Sequence, residues 1–119
     1  MATNYSSQGC VVDYTAGANI TSGDVVVIGQ QIGVALVDIA NGATGSVALD
    51  GVFSVPKVSG AVIAQGESVI YDVSAAAFDD NAATPATGDV SGCCIAVEAK
   101  GTSTTSIKVK LNVGVGTVA

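Results

Sequence analysis

The stretch TGSVALDGVFSVPK, Thr44 to Lys57, decides how the chain is read. Side chains alternate sides along an extended strand, so Val47, Leu49, Gly51, Phe53 and Val55 fall on one face and Ser46, Ala48, Asp50 and Ser54 on the other. A helix would scatter both sets. Gly51 in the middle predicts a bend, because a residue without a β-carbon relieves a strand that must kink. Pro56 ends the run, having no N–H for the next rung of a ladder. This stretch is expected to be the central strand of a β-sheet.

Working toward the N-terminus, Ala40-Asn41-Gly42 carries the Asn-Gly pair that favours a tight hairpin turn. Before it, Ile32, Val34 and Leu36 share one face of a run ending at Asp38. Gly29-Gln30-Gln31 is short enough to join that run to Val25–Ile28, which is apolar at every position, as in a strand covered on both sides. Cys10, Val12 and Tyr14 alternate with Val11 and Asp13 in a first short strand. Residues 1–9 are polar and patternless apart from Tyr5, and are expected to form a flexible arm.

Toward the C-terminus, residues 57–67 hold an apolar run too short for a stable helix and are expected to be a crossover loop with one helical turn. Ser68–Val73 is strand-like, Ser74–Phe78 suggests another brief helical turn, and Asp79–Asp89 is expected to be the most exposed loop. Gly92–Ala99 is the next strand. In Thr105–Val113, Ile107, Val109 and Leu111 alternate with Ser106, Lys108, Lys110 and Asn112. Residues 114–119 are expected to fray. The sum is an all-β fold: one antiparallel β-sandwich or barrel of about seven strands spanning 10–113, with an arm (1–9) and a tail (114–119).

Composition limits what such a domain does. Four Lys, no Arg and ten carboxylates give a net charge of −6, which repels phosphate backbones and makes nucleic acid a poor partner. No stretch has the roughly 18 apolar residues of a membrane helix, and no basic start followed by an apolar run opens the chain, so neither membrane nor export is expected. Three cysteines, Cys10, Cys93 and Cys94, argue for small buried hydrophobes in a chain made in a reducing compartment. On a strand Cys93 would lie with Ile95 and Val97, and Cys94 with Ala96 and Glu98. Mean hydropathy of +0.57 is high for a chain without a membrane span, and points to apolar surface covered by partner chains.

Catalytic signatures are sparse. Without histidine there is no Ser-His-Asp or Cys-His arrangement and no imidazole metal ligand. No lysine follows a phosphate-cradling glycine loop. Asp79-Asp80-Asn81 with Asp89 offers oxygens to calcium but not in an EF-hand order, so a solvated loop is the stronger reading. Asp50 with Asp72 is a conceivable glycosidase pair lacking large side chains to wall a pocket. No enzyme, metal or cofactor is expected.

Several phrases then read together: Asn4-Tyr5 with Gln8-Gly9, Ser22-Gly23-Asp24, Gly33-Val34-Ala35, the Gly51-Val52-Phe53 to Pro56-Lys57 run, and Ala64-Gln65-Gly66. With them the chain resembles the small capsid cement (decoration) proteins of tailed phages from Asn4 to Asn112. The resemblance implies a non-catalytic virion protein, made in the host cytoplasm, that binds the major capsid protein on the outer head surface as a homotrimer and stabilises the expanded capsid against DNA pressure. It implies capsid contacts from Asn4, Tyr5 and Gln8. Val52, the apolar exception on the Asp50 and Ser54 face, is the candidate for a subunit contact. The alternative is a β module that binds carbohydrate or a host surface through the Asp79–Asp89 loop.

Overall fold

In a computed structural model the described residues are 10–82 and 84–119. The expected arm, with Asn4, Tyr5 and Gln8, lies outside them. Two antiparallel sheets divide the chain by sequence. The first has the order β1 (Val11–Thr15), β4 (Thr44–Ala48), β3 (Gln31–Ala35), β2 (Val25–Ile28). The second runs β5 (Val52–Pro56), β9 (Ser106–Lys110), β8 (Val90–Ala96), β6 (Ser68–Asp72), β7 (Ala77–Asp79), and β10 (Thr117–Val118) adds to β8. Among the described residues no helix forms. The all-β expectation holds, with three more strands than foreseen.

One extra strand comes from splitting the opening stretch. Gly51 adopts φ of +108°, a left-handed conformation that a side chain resists, and the chain turns there from one sheet to the other. Asp50 Oδ1 accepts from the Gly51 N–H at 2.9 Å and fixes the corner. Thr44–Lys57 is therefore not one central strand: β4 lies inside the first sheet and β5 at the edge of the second. Alternation cannot separate these cases, because Val47 and Val55 are both buried but in different cores.

The larger core fills the space between the sheets: Ile32 and Val34 meet Val55, Val69, Tyr71, Phe78, Val90, Ile107, Val109 and Leu111. The second sheet curls around it until its two ends approach, where the Val58 N–H donates to the Phe78 carbonyl at 2.9 Å beside a Lys57–Phe78 bridge. Lys57 is only 3% exposed, and its ammonium donates to the carbonyls of Val58 (2.8 Å) and Thr104 (3.4 Å). A smaller core lies on the other side of the first sheet, where Ala16, Ile39 and Val47 pack with Tyr14, Ile20 and Ile28. That explains why the β2 run is apolar at every position. Each fully buried Val, Ile or Phe contributes about 1.5–3 kcal/mol, so many small side chains replace the few large ones this sequence lacks.

Two helical turns were expected, and neither exists. In 57–67, Ile63 and Lys100 exchange backbone hydrogen bonds at 2.8 and 2.9 Å, and the Gly66 N–H donates to the Ala96 carbonyl, which leaves no helical partners. After β6, the Asp72 carboxylate takes the Ser74 and Ala75 amides and Ala76 turns through φ of +51°, which returns Ala77–Asp79 onto β6 as β7. The segment expected to fray is tied down instead. Thr117 and Val118 pair with Ser91 and Val90, the Gly116 N–H donates to the Gln30 carbonyl at 3.0 Å, and Gln30 Nε2 donates back to the Gly116 carbonyl at 3.1 Å. Its valines gave no alternation to read, since backbone groups do the holding.

Candidate interaction surface

β5 is the edge strand where the exposed side of the second sheet begins. Its partner β9 buries Ile107 and Val109 completely, so the intervening residues point outward. In register, Val52 stands opposite Lys110, Ser54 opposite Lys108 and Pro56 opposite Ser106, and all six are exposed. Val52 is 51% exposed. The ladder continues inward from Lys110 to half-buried Ile95 on β8 and Ser68 on β6. The result is an outward wall with apolar and cationic side chains interleaved.

Charge is unevenly distributed. Lys57 is buried, and Lys100 makes the one ion pair found among the described residues, to Glu98 at 3.9 Å. The two remaining lysines, Lys108 and Lys110, both stand on this wall. On β1, the opposite situation holds. Val11 and Asp13 share the side that carries Val34 and Ala48 further in, yet both are exposed, because the second sheet covers β2 and β3 and stops short of β1. Cys10 Sγ lies 4.0 Å from the exposed Asp50 carboxylate, which brings that acid to the start of the same edge.

Other exposed apolar side chains are Leu36 and Val37, Val62, Val73, and Val113, Val115 and Val118 on the C-terminal segment. Val62 lines an open groove of about 440 Å³ with Ile63, Ala64, Glu67, Ala99, Lys100 and Gly101. Its acid is already engaged: Glu67 Oε1 accepts from Ala64 and Oε2 from Asn81.

The carboxylates singled out for calcium or acid–base chemistry serve the backbone. Asp89, 4% exposed, accepts from the Val73 N–H at 3.1 Å and the Ala86 N–H at 2.9 Å, and so ties the C-terminal end of the 79–89 loop to the turn after β6. Asp79 caps Asp80, and Asp80 caps Ala82. Asp72 accepts from the Ser74 hydroxyl at 2.7 Å and from two amides, which holds its carboxyl below the usual range. Asp50 and Asp72 therefore each cap a separate turn. No three His, Cys, Asp or Glu among the described residues group to hold a metal ion.

Sequence reasoning missed Asn112. It sits at φ of +54° just past β9, a conformation that asparagine tolerates better than most residues. Its Nδ2 donates to the carbonyls of Ile32 (2.8 Å) and Leu49 (2.6 Å), while Oδ1 accepts from the Ile32 N–H (3.1 Å) and the Cys93 thiol (2.8 Å). One amide thus ties the two sheets together. Cys93 and Cys94 are both 1% exposed although they alternate along β8, because the C-terminal segment lies over the Cys93 side. There a β-carbon on Gly116 would stand 3.2 Å from that of Cys93. The neighbouring Cys93 thiol and burial together push the Cys94 thiol up, so it stays protonated. Cys10 is the exposed thiol.

With an exposed wall of apolar and cationic side chains in view, and Asp50, Asp72, Asp79 and Asp89 bonded to backbone amides, the comparison with known families decides the class. The model of the family described as phage cement protein matches residues 6–111. The chain belongs to the phage cement protein family. Among curated proteins, none matches it. The family name indicates a structural role in association with the phage capsid, consistent with a domain whose exposed features are contact surfaces. For a cement protein, the informative positions are those left exposed: Val52, Lys108 and Lys110 on one wall, Val11 and Asp13 on the β1 edge. The alternation of Thr105–Val113 already placed both lysines on one face. Nothing in the sequence showed that β1 would be left uncovered.

Proposed function

We propose that this cement protein binds the major capsid protein on the outer surface of the phage head and stabilises the expanded lattice against the pressure of packaged DNA. It is made in the host cytoplasm and acts as a homotrimer, with Asn4, Tyr5 and Gln8 on the capsid and Val52 between subunits. The observation that carries the reading is the family match across residues 6–111. The half-exposed valine at 52 and the apolar residues around the surface agree with it.

The physics is linkage. A protein that binds the expanded lattice and not the dissociated one stabilises it by about 2.7 kcal/mol per site at a free concentration of a hundred times Kd. Joining copies raises the effective concentration of each arm, so individually weak contacts add. Co-sedimentation with expanded and unexpanded heads tests this. The protein should pellet with expanded heads and raise their resistance to heat, and deleting residues 2–8 should weaken both effects. A protein that leaves heads in the supernatant, or binds a glycan without any capsid present, would refute it.

A further inference from the structure

The wall of β5 and β9 and the edge of β1 are complementary. The wall offers one exposed valine, Val52, beside two ammonium groups, Lys108 and Lys110. The edge offers one exposed valine, Val11, beside the carboxylates of Asp13 and Asp50. The wall spans edge strand β5 and its neighbour β9, with the Glu98 carboxylate drawn onto the Lys108 N–H at its far end; Val11 and Asp13 lie on β1, an edge strand of the other sheet, and Asp50 stands at the corner between the two patches. In a chain of net charge −6, two identical copies repel on average, so the lysine wall is where an acidic copy is attracted.

We infer that the Val52–Lys108–Lys110 wall of one copy receives the Val11–Asp13–Asp50 edge of a second copy, in a head-to-tail contact. A contact of wall on edge made once between each pair of copies is heterologous, and it closes into a ring when the rotation between copies divides a full turn. Burial of two valines supplies attraction, and the opposed charges fix the register and exclude pairing of wall with wall. The inference rests on the reading of the chain as an oligomeric cement protein, and it names the surface and chemistry of that association.

Light scattering and sedimentation velocity on the purified full chain test the contact apart from any capsid. The wild type should associate, more weakly as salt rises, since exposed charges are screened beyond about 10 Å at 0.1 M. Lys108→Glu with Lys110→Glu should raise the association Kd by about tenfold or more while the far-UV spectrum and Tm stay near wild type. Asp13→Lys should act likewise, and adding it to the lysine pair should recover part of the affinity, a rescue that loss of folding could not give. A wild type that stays monomeric at high concentration, or a double reversal with unchanged Kd, would overturn the inference. Head co-sedimentation is scored separately. A reversal variant that still associates but no longer pellets with heads assigns the wall to the capsid, which overturns the inference and leaves the proposed function intact. An associating wild type that ignores heads has the opposite meaning.

Discussion

Replacing Asn112 by alanine tests whether one side-chain amide holds the sheets in register. The substitution strips partners from the Ile32 N–H, the Ile32 carbonyl, the Leu49 carbonyl and the Cys93 thiol. A buried polar backbone group left unpaired costs about 1–3 kcal/mol, and because Asn112 is itself half-buried the lower end applies. Three backbone groups then give about 3 kcal/mol, and an alanine held at φ of +54° adds about 1. Four kcal/mol is a large share of the roughly 5–15 kcal/mol that holds a domain of this size. With a urea m-value of about 2 kcal/mol/M, the unfolding midpoint followed by far-UV circular dichroism should fall by about 2 M. Asn112→Asp sharpens the test. It keeps the size but turns an acceptor toward the Ile32 and Leu49 carbonyls, so it should be as unstable as the alanine variant at neutral pH. Stability should partly return on acidification, because a carboxyl whose folded pKa is raised contributes most when protonated. A loss below about 1 kcal/mol in the alanine variant would refute the idea that this amide joins the sheets.

Three further outcomes follow from the same geometry. Gly116→Ala places a β-carbon 2.6 Å from the Gln30 carbonyl oxygen and 2.6 Å from Val90 Cγ1, so the C-terminal strand should lift, with faster amide exchange at Thr117 and Ala119 and a stability loss of about 1–3 kcal/mol. Unchanged exchange there would count against the docked tail. Asp89→Ala frees the Val73 and Ala86 amides, so limited proteolysis should cut within 79–89 several-fold faster. The Tyr71 phenol is pushed above its ordinary value of 10.0, first by burial and then by Asp24 and Asp72. Its raised folded pKa contributes stability that is fully present below pH 10 and is lost as pH rises through the folded value. Absorbance at 295 nm should show one tyrosine titrating late together with unfolding, and Tyr71→Phe should extend stability to higher pH.

Much of the fold was legible because it is written in alternation. Val47, Val55, Ile107, Val109 and Leu111 are all buried as their spacing required. What a period of two does not encode is which sheet a face belongs to, so Thr44–Lys57 read as one strand although Gly51 sends its halves to opposite sheets. Asn112 falls among the outward residues of β9 by count, but its left-handed backbone rotates it inward. Residues 114–119 carry little pattern because backbone bonds to Gln30 and Asp89 fix them. At the candidate surface, Val52 and the two lysines were readable from parity alone. Asn4, Tyr5 and Gln8 fall outside the described residues, and the bareness of β1 depended on how far the second sheet reaches.

The division of the sheets by sequence bears on how the chain leaves the ribosome. All four strands of the first sheet lie within residues 11–48, so they can pair before the first strand of the second is translated. Until β8 and β9 emerge, the side of that nascent sheet carrying Ile32 and Val34 stays wet and sticky. Translation at about 5–20 residues per second leaves it uncovered for several seconds. Slow synthesis between codons 48 and 110 should therefore favour aggregation over yield, even where the finished domain is stable.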